Sequence, residues 1–224
     1  DREVLGLLAA QLATQFAQLA HREQLVLMST TDVLTGLANR QALQARLRNE
    51  ILAASGQSAR CSLAFIDLDN FKYINDNFGH DIGDAVLRAF ADLLRHDLRK
   101  DDLAARWGGD EFVILFPNTQ ASNAAKVAER LLDSLRKAGH FAPLIGSLIG
   151  HEVQFPPGKQ LGCSIGIAEA ETGVLTVDDQ ELLRRADSAL YQAKGQGKGT
   201  VSLWPLLASD AVMALAAPGQ QRPG

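Results

Sequence analysis

The chain is expected to fold as an α+β domain, with a mainly antiparallel sheet and helices packed outside it. Three observations predict this. Short apolar runs alternate with longer segments of helical periodicity, in the order β-α-α-β-β-α-β-α-β from Cys61 onward. Two of the runs, 103–106 and 112–116, flank Gly108-Gly109 at the spacing of a tight hairpin. In 224 residues, 46% are apolar, enough for one sizeable core but hardly for two full domains.

Residues 1–30 read as one helix, with no Pro and no Gly after Gly6. Leu5, Leu12, Leu19 and Val26 form a column spaced by seven, while Gln15 and Arg22 interrupt the second column. This imperfect heptad suggests a linker or signalling helix that pairs with a second chain as a coiled coil; the alternative is an amphipathic helix lying on its own domain. Turn and capping residues 29–32 close it, and the main domain is expected over 31–204. Asn39 is placed to cap a helix over about 40–54. Residues 61–66 form a buried strand that ends in Asp67-Leu68-Asp69. A short helix over 71–78 is broken by Gly79, and 82–98 is amphipathic, with Val86, Leu87, Phe90, Leu93 and Leu94 on one face. After the hairpin come a helix over 121–138, a strand over 161–168, a helix over 179–194 and a short strand over 200–204. Residues 139–160 are rich in Gly and Pro and carry no clear element. The tail, 205–224, reads as a flexible end low in charge. Ferredoxin-like arrangements have this kind of element order.

Net charge is −4, and Lys and Arg form no block, which argues against a duplex nucleic-acid binder. A polymerase-like enzyme is disfavoured because no basic template groove is evident. The two cysteines, Cys61 and Cys163, lack metal-ligand spacing and read as buried reduced thiols, in keeping with a cytoplasmic setting. No apolar run reaches bilayer length, so no membrane contact by these residues is expected. The chain opens at Asp1 and not Met and reads as a piece of a longer protein, with a sensor domain expected upstream and targeting or membrane segments there left open.

Asp67 and Asp69 lie at a strand's carboxyl end, and Asp110 and Glu111 at the tip of a Gly-Gly turn. Each taken singly is a common solvated turn residue. Taken together they have the chemistry of a Mg²⁺ site, which uses one or two carboxylates plus substrate phosphates. Gly108 and Gly109 would let a phosphate or base approach the backbone. Phosphoryl transfer at such a site needs mainly positioning and charge neutralisation.

Gly108-Gly109-Asp110-Glu111-Phe112 resembles the signature of GGDEF-domain diguanylate cyclases. So do the stretches 32–40, 67–72, Asn75-Asp76, 79–84 and 189–194, in the family's order. The resemblance covers about 30–204. It implies the nucleotidyl-cyclase-like, palm-type fold and a nucleotidyltransferase that condenses two GTP into cyclic di-GMP. Mg²⁺ is the implied cofactor, with Mn²⁺ able to substitute, and the working unit is a homodimer. It further implies that Asp67, Asp110 and the Leu68 carbonyl hold metal, with Glu111 assisting metal binding or deprotonation of the 3′-hydroxyl. Asn75 and Asp84 are implied as guanine readers, which suits an amide and a carboxylate. His80 matches a position near the nucleotide, with a structural loop histidine as the alternative. Asn70, Phe71 and Lys72 are implied as a phosphate cradle, with Lys194 and Lys198 as further phosphate contacts. Lys198 stands where the family often has Arg, so the bidentate fork is lost. Arg99 and Asp102 match the offset of the family's inhibitory Arg-x-x-Asp site for the product, although a helix-end salt bridge would also explain the pair. Two other readings are a silent domain that only binds nucleotide, disfavoured by the intact Asp67, Asp110 and Glu111, and a cyclase for another base, disfavoured by Asn75 and Asp84. Residues 139–160 are longer than the family's usual connection.

Overall fold

The computed structural model describes residues 30–54, 60–171 and 178–205. The expected N-terminal helix and the tail beyond Pro205 lie outside them. The elements are β1 (Ala38–Asn39), α1 (Arg40–Ala54), β2 (Arg60–Asp69), α2 (Phe71–Phe78), α3 (His80–Asp97), β3 (Leu103–Gly108), β4 (Glu111–Pro117), α4 (Ala121–Lys137), α5 (Ala142–Ile149), β5 (Gly162–Glu171), α6 (Asp179–Gly195) and β6 (Val201–Leu203). Six strands form one sheet in the order β1-β3-β4-β2-β5-β6. The four inner strands are antiparallel. Only the short edge strands run parallel to their neighbours. The α+β reading therefore holds.

Both faces of the sheet are covered, which is why its inner strands read as continuous apolar runs and not as alternation. In β2, Ala64, Ile66 and Leu68 pack with Phe90, Phe112 and Ile74 beneath α2, α3, α4 and α5. Cys61, Leu63 and Phe65 pack on the other face with Leu43, Leu47, Leu183 and Leu190 from α1 and α6. Phe90 and Phe112 meet edge to face at 5.0 Å, a favoured aromatic geometry that ties α3 to the signature strand β4.

Asn39 caps α1 as expected, its Oδ1 accepting from Ala42 N at 2.9 Å. It also belongs to the two-residue strand β1, too short to show a pattern. α3 begins two residues before the expected start, directly at His80 after Gly79, whose φ of 87° makes the α2–α3 corner. Part of 139–160 is the helix α5. Its breakers sit where helices tolerate them: Pro143 in the first turn and Gly150 as a left-handed C-cap. Both cysteines are buried and free. Burial, with Glu50 and Glu169 nearby, pushes the Cys61 thiol up to about 11. Among the described residues no helix is long and apolar enough to cross a membrane.

Candidate active site

The site is built where β2 ends and the β3–β4 hairpin turns. Asp67 lies opposite Glu111 in the antiparallel register, so both side chains leave the same face of the sheet. Directly opposed residues of this kind have Cβ atoms about 5 Å apart. The Leu68 amide donates to the Asp110 carbonyl at 3.2 Å, which holds the signature turn against the end of β2. Gly108 pairs with Glu111, and Gly109 adopts φ 52°, so Gly109 and Asp110 form the turn.

Asp67 is largely enclosed, and Lys194 Nζ approaches its Oδ2 at 2.7 Å from the end of α6. Burial pushes the Asp67 carboxyl up. Lys194 opposes that, while Asp110 and Asp69 add to it. Enclosure is the largest of these effects, and the Lys194 ammonium only partly offsets it. Among the described residues no three His, Cys, Asp or Glu side chains form a metal cage by themselves. Asp67 and Asp110 lining one pocket fit a divalent ion that uses one or two carboxylates and takes its other ligands from phosphates and water.

Beside the carboxylates lies an open pocket of about 430 Å³ whose lining includes Asp67, Asp110, Lys72, Lys159, Lys194 and Lys198. Asn70, left-handed at φ 64°, turns β2 sharply into α2. The first turn of α2, with Phe71, Lys72 and Tyr73, consequently lines the pocket. First-turn N–H groups have no partner within their own helix and carry the positive end of its dipole, so they suit an anion.

Asn75 sits four residues further along α2, about 6 Å from Phe71. Its amide lies against α3 so closely that a Cβ on Gly83 would fall 1.9 Å from Asn75 Oδ1. Gly83 thereby leaves room for the Asn75 side chain at the start of α3. Asp84 is the next residue along α3, and neither Asn75 nor Asp84 is among the residues lining the phosphate pocket. His80 is exposed at the start of α3.

Asp69 has a different fate from Asp67. It is buried and accepts from Ser164 Oγ at 2.8 Å and Gly199 N at 3.0 Å. It ties β2 to β5 and to the turn that carries Lys198.

Arg99 and Asp102 sit before β3, whose six residues place them about 20 Å or more from the hairpin turn. Arg99 Nη2 meets Asp102 Oδ1 at 2.9 Å and Thr119 Oγ1 at 2.9 Å. The Asp102 side chain is 1% exposed and that of Arg99 61%. Arg99 is the more exposed of the two, and both line a shallow pocket shared with Arg95 and Lys100.

Sequence reasoning missed Arg106. Its Nε and Nη2 donate to the Gly109 carbonyl at 2.9 and 2.8 Å, and its Nη1 lies 3.4 Å from both Asp32 carboxylate oxygens. Asp32 also accepts from Thr35 N at 2.8 Å and Thr35 Oγ1 at 2.6 Å. Burial works against the Asp32 charge, but the Thr35 hydrogen bonds and Arg106 more than offset it and hold the carboxyl below the usual range. The 32–37 turn is thus bolted to the signature turn. Arg106→Ala is expected to destabilise the domain by about 1.5–3 kcal/mol, as for a lost hydrogen bond to a charged group. Arg106→Lys should recover only part of this, since one ammonium cannot reach both partners as a fork. Urea unfolding of the three proteins checks it.

A mixed sheet with carboxylates at the end of a central strand and on the neighbouring hairpin, beside an anion-receptive helix start, defines a nucleotidyl-cyclase-type domain. The family model "Diguanylate cyclase, GGDEF domain" matches residues 29–200, and the chain belongs to that family of nucleotidyltransferases. It is 34% identical over 183 residues to the diguanylate cyclase DgcS of Shewanella oneidensis, covering 82% of this chain and 55% of that protein. It is 37% identical over 175 residues to the response regulator PleD of Caulobacter vibrioides, covering 78% of this chain and 36% of that protein. The chain thus spans about half or less of the length of these curated relatives. Among solved structures it resembles the coiled coil and GGDEF domain of DgcB from Caulobacter crescentus in complex with c-di-GMP. The TM-score is 0.69 at 30% identity, over 88% of this chain and 98% of that one. It also resembles diguanylate cyclase SiaD in complex with its activator SiaC from Pseudomonas aeruginosa, with a TM-score of 0.68 at 34% identity, over 87% and 70%. Members of the family are generally metal-dependent.

Proposed function

We propose that residues 31–204 form a diguanylate cyclase domain that condenses two GTP into cyclic di-GMP and releases two pyrophosphates. The observation that carries this reading is the placement of Asp67 and Asp110 beside the anion-receptive start of α2, in one pocket rimmed by lysines. Mg²⁺, held by Asp67, Asp110 and the Leu68 carbonyl, would supply charge neutralisation at the phosphates, a role Mn²⁺ can also fill.

The chain's own residues do the rest. Phe71 and Lys72 at the start of α2, with Lys194 and Lys198, bind the β- and γ-phosphates. Asn75 and Asp84 read the guanine edge, with His80 close to the nucleotide. Gly108 and Gly109 present no side chain to the approaching sugar. Glu111 accepts the proton of a 3′-hydroxyl as its oxygen bonds to the α-phosphorus of the second GTP. The bridge between the α-phosphorus and the β-phosphate breaks, and pyrophosphate leaves.

One domain holds one GTP, so two must face each other. Residues 1–30, with the apolar column at Leu5, Leu12, Leu19 and Val26, are the segment proposed to pair them. A sensor further upstream would act through that segment. The direct test is to incubate the purified chain with GTP or ATP and Mg²⁺ and identify products by mass. Cyclic di-GMP from GTP, with no cyclic dinucleotide from ATP, is expected. GTP left intact would sink the reading.

Arg99 and Asp102 are proposed as the site where product feeds back. A guanidinium can grip a phosphate or a guanine edge bidentately. Arg99 is far more exposed than Asp102, so the arginine is the first of the two to meet the ligand. Arg99→Ala should remove most inhibition by added cyclic di-GMP and leave the initial rate at low product nearly intact. The effect of product at this site is bounded by its differential affinity, typically about 5–150-fold. Unchanged inhibition in Arg99→Ala would reduce the pair to a surface salt bridge.

A further inference from the structure

The stretch 139–160, which has no place in the sequence pattern, ends against the nucleotide pocket. Pro156 O accepts from Lys159 N at 2.9 Å, and Gly158 at φ 74° lets the chain turn there. The turn is fastened to the site by Asn70, whose Nδ2 donates to Gly158 O at 3.2 Å and to Gln160 O at 2.8 Å. These carbonyls flank Lys159 on either side. The residue that turns β2 into α2 therefore also fixes where Lys159 stands. Lys159 lines the same pocket as Asp67, Asp110 and Lys72. Its Nζ lies 6.0 Å from the ring centroid of Tyr73 in the first turn of α2, at the outer reach of a cation–π contact.

We propose that Lys159 is a phosphate-binding residue of this chain, contacting the distal phosphates of the bound nucleoside triphosphate. This rests on the reading of GTP as substrate and extends it to a residue outside the signature stretches. The charge arrangement favours it. Lys194 shares its charge between the phosphates and Asp67, which it meets at 2.7 Å. Among the described residues Lys72, Lys159 and Lys198 form no salt bridge, so their charge is available to an anion. Lys198 offers a point charge and not a guanidinium fork. Lys159 adds a cation on the rim built by 156–160, and the Asn70 hydrogen bonds hold its backbone in place before nucleotide arrives, which lowers the ordering cost of binding.

The test is equilibrium binding of the whole chain to α,β-methylene GTP, which cannot release pyrophosphate, and to GMP. Parent, Lys159→Ala and Lys159→Arg are compared. Lys159→Ala should bind the triphosphate analogue about tenfold more weakly, the scale of one lost charge-assisted hydrogen bond. GMP affinity should stay unchanged, and Lys159→Arg should bind like the parent. In turnover, KM for GTP should rise in Lys159→Ala while kcat moves far less. Triphosphate affinity within twofold of the parent would overturn the assignment. So would an equal loss for GMP and the analogue, since that marks general damage to the pocket. A parent that binds neither nucleotide would instead overturn the GTP reading, and this inference with it.

Discussion

Asp110→Ala is expected to abolish turnover while the domain stays folded. Asp110 is half-buried in a two-residue turn whose backbone carbonyl receives the Leu68 amide, a tie that outlasts loss of the side chain. Its substitution should cost on the order of 1 kcal/mol, the usual size for a single change. The carboxylate, by contrast, is half of the pair proposed to hold the metal. Metal-ion stabilisation of a phosphoryl-transfer transition state amounts to several kcal/mol. At about 1.4 kcal/mol per tenfold, the rate should fall by at least about a thousandfold. Far-ultraviolet circular dichroism and urea midpoints matching the parent, with no detectable cyclic di-GMP, are the expected result. A folded variant making product at near-parent rate would remove Asp110 from the metal site.

Gly166→Ala should have the largest effect on stability. Gly166 lies in β5 opposite Phe65, on the face covered by α6. A Cβ there would fall 2.0 Å from Leu190 N and 2.2 Å from Ala186 O, both backbone atoms of α6. A flexible side chain could swing aside, but a helix backbone must shift as a body. Overpacking typically costs about 1–3 kcal/mol, and this contact belongs at or above the upper end. Because α6 carries Lys194 towards Asp67, activity should drop along with the urea midpoint. Gly108→Ala is the control for stability alone, since a Cβ there meets nothing within 4 Å and Gly108 has no positive φ. Gly166→Ala as stable as the parent would mean that α6 does not seat on β5 in this way.

What the sequence made legible follows from range. The hairpin and the α3 and α4 faces are set by neighbours within a few residues, so composition and periodicity reveal them. Asp67, Asp69, Asp110 and Glu111 were readable as a carboxylate group because they fall at the ends of apolar runs, and the family resemblance singled out Asp67 and Asp110 among them. The separate fate of Asp69 was not. It shares a face with Asp67 by strand alternation, and only Ser164 and Gly199, 95 and 130 residues away, make it structural. The Arg106–Asp32 link spans 74 residues and has no spacing rule to reveal it. α5 was hidden because Pro143, Gly146 and Gly150 all argue against a helix, although Pro143 and Gly150 fall at its ends. Lys159 was hidden with it, since the Asn70 contact that places it lies 88–90 residues back in the chain.

On the proposed reading each chain supplies half of a two-GTP reaction. The initial rate of cyclic di-GMP formation across a wide range of protein concentration, with pyrophosphate counted in the same samples, decides it. Two pyrophosphates per cyclic di-GMP are expected, with a rate that rises more than linearly at low protein and becomes linear once the paired form dominates. A strictly linear rate down to the most dilute protein, or pyrophosphate released without cyclic di-GMP, would contradict it.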